Sequence, residues 1–198
     1  MEIDEKILRR AGASILRCNK GEIIFMEGET PHCYMQIIRG QVKLNSYDHD
    51  GKEFIQNILE DGDSLAESII IASTVYPMNA IALKQSTIIK LPKERLLGLL
   101  ETKPELLMDL CNSMANRLNQ KIFMLQNNSI KCPKEKIKGL LNYMRRFKSS
   151  NSDFSFEIPL TRQQIANIIG LTVETVIRNI KILESENLLM IKNRKIFV

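Results

Sequence analysis

Nothing in this 198-residue sequence approaches the roughly 20 consecutive apolar residues that a membrane-spanning helix needs. The opening stretch, MEIDEKILRR, carries three acids against three bases and lacks the apolar core of a secretory leader, so a cytoplasmic chain with no membrane partner is expected. Cysteine is sparse. Cys18, Cys33, Cys111 and Cys132 are scattered without C-x-x-C spacing and are read as reduced and mostly structural. The two histidines, His32 and His49, stand in separate loops. A metal centre needs several imidazoles and a carboxylate converging on one ion, so two are too few. No phosphate-cradling glycine loop, nucleophile–base pairing or low-complexity segment appears. Binding without catalysis is the expectation these absences leave.

What is present is an ordinary soluble composition, 44% hydrophobic and 26% charged. The charge is unevenly placed. Residues 1–129 hold 15 Lys and Arg against 17 Asp and Glu, a net of −2, whereas residues 130–198 hold 13 against 6, a net of +7. The basic surplus belongs wholly to the C-terminal third and points to a polyanionic partner there.

From about Ile15 to Leu91 the chain reads as β. Short apolar runs (EIIF, YMQIIRG, QVKLNSY, EFIQNIL, AIAL, STIIKL) alternate with turn signals such as Asp50-Gly51 and Asp61-Gly62. Strands at this spacing predict a barrel or jelly roll. PKERLLGLLETKP then predicts a short helix opened by Pro92 and closed before Pro104. A long helix follows from Pro104, with Leu107, Cys111, Met114, Leu118, Ile122 and Leu125 stepping by three or four residues. That stripe either packs on its own β domain or forms a two-stranded seam; the length and the lack of an early breaker favour a homodimer. Asn127-Asn128-Ser129 and Pro133 read as a hinge, KEKIKGLLNYMRRFKSS as a basic amphipathic helix, and Ser149 to Asp153 as a polar loop. The expected division is 1–103, 104–128 and 129–198.

The C-terminal stretch carries the function. Thr161 to Gln164 has capping-box spacing, and Leu160 and Ile165 are placed as a hydrophobic staple, so a helix should run to about Ile169. Gly170 allows a tight turn, and Thr172 can cap a second helix from Val173 to about Ser185. Val176, Ile180 and Leu183 point inward there, leaving Glu174, Thr175, Arg178 and Lys181 outside. This is a helix-turn-helix, and LLMIK-NR-KIFV after it reads as a two-stranded wing. Glu174 and Arg178 at i, i+4 could be a plain surface ion pair. In the first turns of a recognition helix they are instead placed to reach base edges, arginine to guanine and carboxylate to cytosine N4.

On these motifs the chain resembles the CRP/FNR family of bacterial transcription regulators over nearly its whole length. The resemblance implies an α+β fold with three parts: an N-terminal cyclic-nucleotide-binding-like β-roll, a long dimerisation helix and a C-terminal winged helix-turn-helix. It also implies palindromic double-stranded promoter DNA as partner, RNA polymerase as a further one, and a half-site core containing TGA. The family's commonest reading pattern is Glu-x-x-Ser/Gly-Arg. Glu174 and Arg178 match it, Ile177 replaces the small residue, and Val173 stands where the cyclic-AMP receptor branch has arginine. Arg162, Gln163, Thr172 and Thr175 match phosphate-holding positions.

The β-roll departs from nucleotide binders of the family, whose cassette is Gly-Glu followed, after a loop, by Arg-Ser or Arg-Thr. In GDSLAESIIIASTVYPMNAIAL, Glu67 is kept, Ala66 replaces the glycine, Met78 replaces the phosphate-pairing arginine and Asn79 replaces the hydroxyl residue. A buried phosphodiester there would lack its charge partner, so the effector is expected not to be cyclic AMP or cyclic GMP. The N-terminal cysteine cluster of an FNR iron–sulfur sensor is missing as well. LAESIIIASTVYPMNA resembles the nitric-oxide-responsive, haem-associated branch, which makes haem a candidate cofactor with His32, Cys33, His49 or Met78 as axial ligand. Other small ligands, or none, stay open beside it. A cupin-like metalloenzyme is the remote alternative.

Overall fold

The computed structural model describes residues 2–146 and 154–198. The chain forms two compact units, Met1–Leu118 and Asn119–Val198. The division falls inside one 26-residue helix, α4 (Pro104–Ser129).

In the first unit, helix α1 (Glu5–Arg10) leads into β1 (Ser14–Cys18), β2 (Ile23–Phe25), β3 (Cys33–Arg39), β4 (Val42–Tyr47), β5 (Glu53–Leu59) and β6 (Ser64–Leu65). After α2 (Glu67–Ala72) come β7 (Asn79–Ala82), β8 (Ser86–Pro92) and α3 (Lys93–Thr102). The strands make two four-stranded antiparallel sheets, ordered β1-β8-β3-β6 and β2-β7-β4-β5. All six apolar runs picked out in the sequence become strands, as β2, β3, β4, β5, β7 and β8. The tight β3–β4 connection requires glycine. Gly40 sits at φ +139, and a β-carbon there would lie 2.7 Å from the Ser86 Cα.

Strand β8 explains why STIIKL sets two isoleucines side by side instead of alternating apolar with polar residues. Ile88 belongs to the cluster inside the roll, with Phe25, Ile37, Val42 and Leu44. Its neighbours Ile89 and Leu91 belong to a second cluster, with Leu8 of α1, Ile70 of α2, Leu96 and Leu100 of α3, and Leu106 and Leu110 of α4. A strand covered on both faces has no polar alternation to display.

The stripe on α4 splits between its two readings. Leu106 and Leu110 are buried against the roll, and Met114 packs with them. Met114, assigned to the dimer seam by periodicity, therefore belongs to the inward face. Leu107, Cys111, Leu118, Ile122 and Leu125 remain on the exposed side. Among the described residues no helix is long and apolar enough to cross a membrane.

The second unit holds α5 (Pro133–Arg145), α6 (Arg162–Ile169), α7 (Val173–Ser185) and a hairpin of β9 (Met190–Lys192) and β10 (Lys195–Phe197). The polar loop Ser149 to Asp153 lies outside the described residues. At the expected hinge, Asn127-Asn128-Ser129 stay in α4, the chain leaves helix only at 130–132, and Pro133 opens α5, to which the last turns of α4 are tied. Phe123 stacks on Tyr143 with ring centroids 4.2 Å apart. Asn127, buried, donates from Nδ2 to the Lys136 carbonyl at 3.0 Å. Its Oδ1 fills the space over Gly139, where a β-carbon would come within 2.0 Å of it. Gly139→Ala should therefore displace the Asn127 amide and lower the stability of this unit by roughly 1–3 kcal/mol. Chemical denaturation followed by circular dichroism measures it, and a neutral result would show that the amide swings aside freely.

Candidate nucleic-acid interface and sensor cassette

Two caps build the helix-turn-helix. Thr161 Oγ1 accepts from the Gln164 backbone N–H at 3.1 Å, and Gln164 Oε1 accepts from the Thr161 N–H at 2.8 Å. That is the reciprocal pair its spacing predicts. Leu160 and Ile165 are both buried. Gly170 closes α6 at φ +69, where a side chain would be disfavoured. Thr172 Oγ1 then accepts from the Thr175 N–H at 3.3 Å and starts α7.

On α7, Val176, Ile180 and Leu183 face the core. Glu174, Ile177 and Arg178 stand exposed on the opposite side, and Val173 is half-buried. Among the described residues no ion pair within 4.0 Å joins Glu174 to Arg178. The pair is thus not spent on itself.

The four residues expected at phosphates all have bonds within the fold. Gln163 Nε2 donates to Asn167 Oδ1 at 2.8 Å, and the Thr172 and Thr175 hydroxyls bond each other at 3.0 Å. Arg162, half-buried, donates from Nη1 to the Arg194 carbonyl in the wing turn. That turn is two residues long, with Asn193 at φ +51 and Arg194 at φ +64. Such a doubly left-handed turn matches the twist of a hairpin, although only glycine and asparagine adopt it cheaply.

The cassette is absorbed by the roll. Ala66 is left-handed at φ +51, where the family's glycine belongs; this costs alanine about 1–2 kcal/mol. Glu67 is 1% exposed and ion-paired, its Oε1 3.0 Å from Nε of Arg117 on α4. The contact is charge against charge, because neither carboxylate oxygen receives a directed hydrogen bond among the described residues. Arg117 also donates from Nη2 to the Ser64 carbonyl at 2.6 Å. Nearby, the Tyr34 hydroxyl donates to Gln36 Oε1 at 2.8 Å. Burial, then the Glu67 charge, holds this phenol well above its ordinary pKa. Met78 is half-buried against the roll core. Asn79 bridges two chain segments, accepting from the Glu27 N–H at 3.0 Å and donating to the Asn45 carbonyl at 3.3 Å.

Of the haem-ligand candidates, His32 and Cys33 are chain neighbours, whereas His49 and Met78 stand elsewhere in the sequence. His32 is exposed before β3, Cys33 opens β3 half-buried, and His49 is exposed in the β4–β5 turn. Among the described residues no three His, Cys, Asp or Glu side chains gather where a metal ion could be held.

Residues 15–103 match the cyclic nucleotide-binding domain, and residues 136–198 match the Crp-like helix-turn-helix domain. This chain belongs to the CRP/FNR family of transcription regulators.

Among its CRP/FNR relatives is the cAMP-activated global transcriptional regulator CRP of Salmonella typhimurium, 27% identical over 174 residues, 87% of this chain and 83% of that one. Another is the transcriptional activator protein anr of Pseudomonas aeruginosa, 28% identical over 181 residues, 90% of this chain and 74% of that one. The CRP/FNR fold is shared with the c-di-GMP-responsive regulator CLP of Xanthomonas campestris, at a TM-score of 0.77 and 18% identity over 98% of this chain and 96% of that one. It is shared also with a CooA mutant from Carboxydothermus hydrogenoformans, at a TM-score of 0.84 and 16% identity over 100% and 87%. The relatives are regulators and not enzymes, and where their names state an effector it differs, cAMP for CRP and c-di-GMP for CLP. CRP/FNR membership therefore leaves the effector of this chain undetermined.

The residue that sequence reasoning missed is Arg117. Its signal was legible: it is the sole charged residue between Asp109 and Lys121, set into an otherwise apolar and neutral stretch of helix. A cation in that setting needs a partner, and the kept cassette carboxylate supplies it.

Proposed function

We propose that this regulator binds palindromic promoter DNA as a homodimer, with α7 of each protomer in the major groove, and that its β-roll answers to an effector other than cyclic AMP. One observation carries the reading: Glu174 and Arg178 are exposed on the outer face of a capped recognition helix and are not paired with each other. Arg178 takes a guanine O6 and N7, and Glu174 takes the N4 of a cytosine on the opposite strand. Ile177, without a polar atom, offers an apolar contact suited to a thymine methyl. Two such helices about 34 Å apart make the site a palindrome, with TGA in each half by likeness to the FNR branch. RNA polymerase is the further partner such a role implies.

Arg178→Ala should cost roughly 1–3 kcal/mol and relax preference at one guanine of each half-site. Selection from a random duplex library with wild type and variant tests this. An unchanged consensus would return the pair to an ordinary helix surface. On the effector side, Met78 brings no charge to a cyclic phosphate, and Asn79 is already bonded on both amide atoms. Cyclic AMP at millimolar concentration should leave both DNA affinity and melting temperature unchanged; a clear thermal shift would overturn that half of the proposal.

A further inference from the structure

The wing carries two features that are unfavourable in the isolated protein. Asn193 and Arg194 hold left-handed backbone at two successive non-glycine positions. Lys192 and Lys195 flank that turn and are register partners, so two cationic stems stand directly across the hairpin. Like charges opposite one another weaken a ladder. Glu157 answers Lys195 at 2.7 Å. Among the described residues neither Lys192 nor the Arg194 guanidinium has an acidic partner within 4.0 Å. A hairpin end with three exposed cations is suited to a polyanion that straddles it.

Arg162 sets where that end lies. It is the first residue of α6, and its guanidinium holds the Arg194 carbonyl. The first helix of a helix-turn-helix crosses the DNA backbone. The strut therefore keeps the wing turn at the backbone edge, beside that helix. Cross-strand partners stand about 5 Å apart at Cβ, close to the roughly 6 Å width of the minor groove. The residue types follow the same division. Arginine, at the tip, is less strongly hydrated than an ammonium and suits a narrow A·T minor groove. The lysines on the stem are compact charges suited to phosphates on the two groove walls.

We propose that Arg194 enters the minor groove bordering each half-site, between Lys192 and Lys195 on its phosphate walls, and that Arg162 is the positioning residue that aims it. The proposal rests on the α7 reading above and adds a preference for A·T pairs at a flank that α7 does not touch. Arg162 then acts through the wing and not chiefly as a phosphate ligand.

The test measures dimer affinity for the selected palindrome with A·T or G·C flanks, using wild type, Arg194→Ala, Arg162→Ala, Arg162→Lys and the double alanine variant. Melting curves confirm that each is folded. Arg194→Ala is expected to lose roughly tenfold on the A·T flank and little on the G·C flank. Arg162→Ala should erode the same flank preference, Arg162→Lys should restore part of it, and the double variant should fall within about twofold of Arg194→Ala. Equal losses on both flanks, or additive losses in the double variant, would overturn the proposal by making both residues independent phosphate contacts. A wild type that selects no palindrome removes the α7 reading and this inference with it. A wild type that selects one, while Arg194→Ala keeps the flank preference, overturns the wing assignment alone.

Discussion

Replacing Arg117 by alanine is expected to destabilise the β-roll unit by about 3–5 kcal/mol. Glu67 is 1% exposed, and Arg117 is the cation beside its carboxylate. A charge buried to that degree loses its hydration, and only its partner offsets the loss. The amide groups at the start of α2 help little, because α2 has only six residues and a helix end contributes typically 0.3–1 kcal/mol. Removing both charges is a different experiment. Arg117→Met combined with Glu67→Met leaves neither an orphaned ion nor an unsatisfied buried amide and should recover most of the loss. Because the chain has no tryptophan, urea unfolding is best followed by circular dichroism. A cost below about 1 kcal/mol for Arg117→Ala would place the pair with ordinary surface ion pairs.

Glutamate at both Leu118 and Leu125 is expected to yield a monomer whose specific DNA affinity is lower by about 10³-fold or more. Leu118, Ile122 and Leu125 are 62%, 47% and 75% exposed, at steps of four and three along one helix. Soluble monomers rarely leave such a run uncovered, and a second copy of the same helix covers it with matching periodicity. Two carboxylates in that seam would be desolvated in the dimer and hydrated in the monomer. Met114→Glu serves as the contrast. It faces the roll, so it should lower stability while leaving association at moderate temperature intact. Light scattering separates the outcomes, and a double variant that stays dimeric would place the seam elsewhere.

How legible each part was follows from the length over which its signal is written. The helix-turn-helix was readable almost to the residue because caps, staple and turn glycine are local chemistry: Thr161, Gln164, Gly170 and Thr172 all act where expected. Strands β2 to β5 were readable because turn glycines bound their apolar runs, from Gly21 to Gly62. Helices α1 and α2 were not, since six residues show less than two turns of any period. On α4 the stripe was real but carried two faces. Steps of three and four place Leu110 and Met114 beside Leu118 in a listing of the sequence, and only the packed roll tells inward from outward. The helix break itself falls a few residues later than the asparagines, at 130–132, for a related reason. Two adjacent asparagines look like a breaker, yet Asn127 is consumed by Gly139 and the Lys136 carbonyl, 9 to 12 positions away. The cassette substitutions were visible at once. That the retained Glu67 is answered by Arg117, fifty residues on, was not.

Because β8 lends Ile88 to one apolar cluster and Ile89 and Leu91 to the other, neither cluster can open while the strand holds. The strand is also hydrogen-bonded on both edges, to β1 and to β3. Its amides should exchange with deuterium only when the whole unit unfolds, and should form the slowest group in the roll. Edge strands such as β2 and β6 should exchange through smaller, local fluctuations. A cavity cut into either cluster would then quicken exchange along β8 by the full loss in stability, so this one strand reports damage on both of its sides.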